Sequence, residues 1–87
     1  MRRRALRKPV PVRDYVVEIS HEADRAEAKH GRWADAHHGY GVLSEEVDEL
    51  WDAIKANNLA HARLEAVQVG AMALCFLRES DRWEGNQ

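Results

Sequence analysis

The chain has one cysteine, two prolines and five glycines among 87 residues. Nowhere does it carry the run of about eighteen apolar residues that a membrane span requires. A single thiol excludes an internal disulfide, and Cys75 lies in an apolar stretch, where a buried, unreactive side chain is expected rather than a nucleophile. Scarce proline and glycine beside 45% apolar residues exclude a disordered or fibrous chain. The basic start, with Arg2, Arg3, Arg4, Arg7 and Lys8, leads into Pro9, Pro11, Arg13 and Asp14 rather than an apolar segment of signal-peptide length, so a soluble, cytoplasmic protein is expected. The net charge of -2 gives no general electrostatic reason to bind nucleic acid, and the positive charge at the start is local. No internal repeat or low-complexity tract is present.

What the chain has in quantity is Ala, Glu, Arg and Leu, which favour helix over strand, and the expectation is an all-α protein. Residues 1–13 read as a basic extended arm, followed by a helical domain over 14–80 and a short tail over 81–87. The first helix should start with Asp14 as its cap and present Val16, Ile19, Ala23, Ala26, His30 and Trp33 at spacings of three and four, with Gly31 ending or bending it. Gly39 and Gly41 should weaken the next segment, placing the start of a second helix near His38 or Leu43. Its stripe is Leu43, Val47, Leu50, Trp51 and Ile54, and Asn57-Asn58 should stop it. A third helix from about Ala60 contains LEAVQVGAMALCFL, whose Val67, Val69, Met72, Leu74, Phe76 and Leu77 point in nearly every direction. Two neighbouring helices from a chain this small would hardly cover it, so packing against another subunit is expected.

The stretch LSEEVDELWDAIK, Leu43 to Lys55, holds five acids among its thirteen residues. On a helical wheel Glu46 borders the apolar stripe, Glu49 lies further round, and Glu45 and Asp48 point well away. Glu65 and Gln68 share one side of the third helix within apolar sequence. Two such pairs on neighbouring antiparallel helices could converge, and carboxylates gathered at the edge of a core need a cation or a basic side chain. The other reading is a solvated face, since E-x-x-E pairs are abundant there.

HGYGVLSEEVDELWDAIK (His38 to Lys55) followed by RLEAVQVGAMALCFL (Arg63 to Leu77) resembles the small phage and bacterial branch of the MazG-like, all-α nucleoside triphosphate pyrophosphohydrolases. The likeness covers about half of the chain. It implies a helical bundle of the four-helix type, assembled as a homodimer or homotetramer. It also implies Mg²⁺-dependent hydrolysis of a nucleoside triphosphate between the α and β phosphates, giving a nucleoside monophosphate and pyrophosphate. Mn²⁺ is a possible substitute. Glu45, Glu46 and Glu49 match the family's E-E-x-x-E, and Glu65 matches the first acid of its E-x-x-D.

Gln68 stands where the family has aspartate, bringing an amide oxygen but no charge. On this reading Glu46, Glu49 and Glu65 are metal ligands, Gln68 is a weak ligand or a partner of a bound water, and Glu45 orients or deprotonates the attacking water. Lys55 and Arg63 could meet phosphates or simply be solvated. Trp33, His37, His38 and Tyr40 cluster ahead of the acidic helix and could hold a nucleobase, with core packing as the alternative for Trp33. The glutamine leaves a second possibility open, a non-catalytic nucleotide-binding or scaffolding oligomer of the same fold.

Overall fold

The computed structural model describes residues 9–83, which form three helices: α1 Val12–His30, α2 Ala36–Lys55 and α3 Leu59–Trp83. No strand occurs among the described residues, so the all-helical expectation is borne out. The basic segment 1–8 and residues 84–87 lie outside them. None of the three helices is long and apolar enough to cross a membrane.

α1 begins three residues ahead of the expected position, with its cap at Pro11 rather than Asp14. Pro11 occupies the N-cap with φ -58° and ψ 140°, and its carbonyl accepts the Asp14 N–H at 2.9 Å. Proline has its φ fixed and no N–H to satisfy, which suits it to this boundary, and Asp14 instead places its charge in the first turn, where the helix dipole favours an anion. Gly31 ends α1 as expected: its φ of +78° is open to glycine at little cost, and its N–H returns to the Glu27 carbonyl at 2.9 Å.

α2 starts earlier than the glycines suggested. Asp35 caps it, accepting the His38 backbone N–H at 2.9 Å, and both Gly39 and Gly41 lie inside the helix. At Gly39 the reason is packing: a Cβ built there would stand 2.8 Å from Phe76 Cδ2 and 2.9 Å from Trp33 Cε3. The residue is small so that α2 can approach α3. The Asn57-Asn58 stop divides its work between two helices. Asn57 takes the left-handed φ of 58° that closes α2, while the Asn58 side chain accepts the His61 N–H at 3.0 Å and starts α3.

α3 is the shared support. α1 and α2 both pack on it, and no Cα of α1 comes within 8 Å of one in α2. The core gathers Ala23 from α1, Trp33 from the α1–α2 connection, and Ala71, Met72, Cys75 and Trp83 from α3, with Ile19, Val42, Leu43 and Phe76 packed against it. Phe76 and Trp83 meet edge to face with centroids 5.1 Å apart. α3 therefore runs past the expected domain limit at residue 80, and Trp83 is docked in the core.

Two of the expected stripes need correction. In α1, Ile19, Ala23 and Ala26 face the core, but Val16 and His30 are exposed. In α2 the buried positions are Gly39 and Ala53, with Leu43, Glu46 and Leu50 half-buried between them, while Val47, Trp51 and Ile54 are exposed. The α3-facing side of α2 is thus rotated toward the small residues that permit close approach. In α3, Leu64 and Leu77 are exposed, Leu64 at a groove that α3 shares with α1.

Candidate functional site

Glu46 is half-buried on the α3-facing side of α2, and Glu49, one turn further along, is exposed beside it. Glu65 reaches toward them from α3. One carboxylate oxygen from each of Glu46, Glu49 and Glu65 can be chosen so that all three lie within 4.8 Å of one another. The three acids that spacing alone could only suggest are therefore brought together.

The electrostatics of the cluster follow from this crowding. Partial burial and the nearby Glu49 charge, with a hydrogen bond and charge from Glu65 and a further charge from Glu45, push the Glu46 carboxyl up to about 7. His61, one turn before Glu65 on α3, approaches its Oε2 with Nε2 at 2.9 Å. A hard divalent cation fits such an all-oxygen donor set. Oxygens around a Mg²⁺ ion, each about 2.1 Å from it, stand roughly 3 to 4 Å apart, so the cluster needs only a small closure to hold one.

Beside the cluster a cleft of about 350 Å³ opens between α1 and α2, floored by α3. Its walls include Glu27 and His30 from α1, Trp33 from the connection, His38, Val42, Glu45 and Glu46 from α2, and Met72, Cys75 and Glu79 from α3. Trp33 is buried and shows the cleft only part of its surface, its ring tilted against Phe76 at 6.5 Å and against His38 at 6.3 Å between centroids. Trp33 thus belongs to the core, as its packing alternative expects, and also lines the cleft. The Cys75 thiol is buried, as expected, and burial pushes its pKa up.

Glu79 was not visible as a functional candidate in the sequence. It is 4% exposed and accepts the Trp33 backbone N–H at 2.9 Å, while Arg82 pairs with it and donates to the Trp33 carbonyl at 2.8 Å. The Arg82 guanidinium and the Trp33 N–H hold the Glu79 carboxyl below its usual range. The end of α3 thereby fixes the connection that forms one wall of the cleft. An acid and an arginine three apart are too common on helices for this pattern to have been singled out.

Several expected site residues lie elsewhere. Gln68 lines a groove between α1 and α3 together with Glu65, but its side-chain amide is engaged by Glu22 on α1, to which it donates. Arg63 grips Glu18 of α1 with two hydrogen bonds, at 2.8 and 2.9 Å, and Lys55 pairs with Asp52 at 3.4 Å and lies over the Trp51 ring at 5.7 Å. Neither cation lines the cleft. Tyr40 is 69% exposed and His37 is exposed, and both stand outside the cleft wall. Glu45 is exposed and lines the cleft next to Glu46. No protein-family model matches the chain, and comparison with curated proteins and with solved structures likewise gives no match.

Proposed function

We propose that the protein is a divalent-cation-dependent nucleoside triphosphate pyrophosphohydrolase that cleaves the α–β phosphoanhydride. The observation that carries this reading is the convergence of Glu46, Glu49 and Glu65, the first of which also lines a cleft of about 350 Å³. The resemblance of His38 to Lys55 and Arg63 to Leu77 to the MazG-like enzymes names the reaction. Mg²⁺, or Mn²⁺ in its place, would shield the phosphate charge and lower the pKa of a bound water.

In this reading Glu46, Glu49 and Glu65 hold the cation, and His61 steadies Glu65 from one turn away. Glu45, exposed on the cleft side of Glu46, orients the attacking water and takes up its proton. The cleft between Trp33, His38, Val42 and Met72 receives the nucleoside end. No lysine or arginine lines it among the described residues, so the negative phosphates are left to the cation. The exposed Val47, Trp51, Ile54, Leu64 and Leu77 support self-association as a dimer or tetramer.

The test is pyrophosphate release from a panel of ribo- and deoxynucleoside triphosphates, with Mg²⁺ and with chelator, using the protein and its Glu46→Ala and Glu49→Ala variants. Release that needs the cation and is lost in both variants supports the assignment. Unchanged release in both removes these residues from the site. A second reading, a nucleotide-binding oligomer without chemistry, draws on Gln68, a neutral residue where the MazG-like motif has aspartate, whose amide is in addition engaged by Glu22. It expects nucleotide binding with no release from any substrate.

A further inference from the structure

The apolar stripe of α1 continues past the part that is covered. Val12, Val16, Ile19, Ala23 and Ala26 recur at spacings of four and three and so share one side of the helix. The last three pack on the core, whereas Val12 is 75% and Val16 56% exposed, with Tyr15 exposed beside them. α2 is bare toward its own end, where Val47, Trp51 and Ile54 are exposed. The two bare stretches lie at the same end of the molecule. α1 runs in the direction of α3, with Glu18 at Arg63 and Asp24 at Arg78, while α2 runs against it, with Gly39 opposite Phe76 and three residues leading from its end into α3. Most of the core, including Trp33, Met72, Cys75 and Trp83, gathers toward the other end.

The two stretches do not cover each other within one chain. No Cα of α1 comes within 8 Å of one in α2, and the side of α2 turned toward α1 is the cleft wall of Val42 and Glu45. At about 100° per residue, Val47, Trp51 and Ile54 fall on the other flank. Their borders are complementary in charge: Arg13 flanks the α1 stretch and Asp48 flanks Trp51, and neither forms an ion pair among the described residues. A two-fold axis at this end sets each stretch against the other kind in a second copy, so that both are covered at once and the contact closes. Deepening the self-association of the proposed function, and resting on that reading only for the existence of an oligomer, we infer that two copies pair reciprocally, with Val12, Tyr15 and Val16 of each packing on Val47, Trp51 and Ile54 of the other.

The experiment is sedimentation velocity of the full chain from about 1 to 500 μM, without nucleotide, alongside its Val16→Glu and Trp51→Glu variants, with circular dichroism to show that each variant keeps its helices. A dimer is expected, and each substitution should weaken it about thirtyfold or more. An equimolar mixture of the two variants should associate more tightly than either alone, because the mixed pair keeps one unaltered contact. Arg13→Asp and Asp48→Arg should each weaken the dimer, and together in one chain they should restore it. A monomer at every concentration overturns the inference, as does an oligomer indifferent to both glutamate substitutions. A mixture no tighter than its components also overturns it, since like stretches would then be meeting. Sedimentation needs neither cation nor turnover, so a failure of pairing and a failure of hydrolysis are read separately.

Discussion

Gln68 of α3 donates its side-chain amide to Glu22 of α1, and the position that would extend the acidic cluster is committed to holding two helices together. The same Glu22 also pairs with Arg25, and the two contacts hold its carboxyl below the usual range. Replacing the amide by an acid therefore sets two carboxylates against each other. Gln68→Asp is expected to lower stability by about 1–3 kcal/mol in urea unfolding and to leave Mg²⁺ affinity unchanged. Adding Glu22→Gln to it should recover most of the loss, and a rise in Mg²⁺ affinity in the single variant would place position 68 at the cluster after all.

The two glycines of α2 make an internal comparison. At Gly39 an added methyl group meets Phe76 and Trp33 at less than 3 Å, whereas at Gly41 nothing stands within 4 Å. Gly39→Ala should destabilise by about 1–3 kcal/mol through overpacking, and Gly41→Ala should stabilise by up to about 1 kcal/mol through helix propensity. Thermal melts of the two variants check both signs.

The raised Glu46 carboxyl gives the cation-free protein a characteristic pH response. A folded value near 7, above the ordinary 4.5, means that the folded state keeps a proton which the unfolded chain has already released. Stability is then highest below the ordinary value and falls as pH rises toward and through 7. Solvent at the cluster's edge limits the effect to about 1–2 kcal/mol. Glu49→Gln should flatten the slope by removing a neighbouring charge, and saturating Mg²⁺ should offset it. Unfolding measured from pH 4.5 to 8, with and without the cation, reads all three.

Glu79 has the opposite sign. Its carboxyl is held below its usual range by Arg82 and the Trp33 N–H, so its contribution is present above the ordinary value and is lost as pH falls through the lowered one. Arg82→Ala leaves that buried acid with one strong partner fewer and the Trp33 carbonyl with only the Trp83 indole N–H, at 3.4 Å. Acid unfolding should begin at higher pH in this variant, and the amide shifts of Trp33 and His38 should move with it. A variant with unchanged acid unfolding and unchanged shifts would deny the end of α3 its hold on the connection.

Helix type and number were legible in the sequence because composition and three-four spacing are local signals, and Gly31 and Asn57-Asn58 mark ends by backbone conformation that few other residues share. The start of α2 was not, since glycine reads as a breaker until the partner that requires it is known, and Phe76 lies 37 positions from Gly39. The rotation of the α2 stripe has the same origin: side-chain size at Gly39 and Ala53, rather than hydrophobicity, decides which side approaches α3. In the site, Glu46, Glu49 and Glu65 could be read because one helical turn relates the first two and a motif supplies the third. The commitments of Arg63, Gln68 and Glu79 depend on α1 and the connection, 45, 46 and 46 residues away in the chain. No short-range pattern carries them.

The helix that both others lean on also sets the order in which the molecule comes apart. α2 and α3 are joined by three residues, and Phe76 and Trp33 close on Gly39 between them. α1 is held to α3 by the Ile19–Ala23–Ala26 face and by a row of polar pairs, Glu18 with Arg63, Glu22 with Gln68, and Asp24 with Arg78. Ionic strength screens exposed pairs far more than apolar contact, so salt should loosen α1 selectively while the α2–α3 hairpin persists. With α1 goes one wall of the cleft, whereas Glu46, Glu49 and Glu65 remain together on the hairpin. The two halves of the candidate site are therefore expected to open as different cooperative units, which hydrogen exchange at rising salt checks.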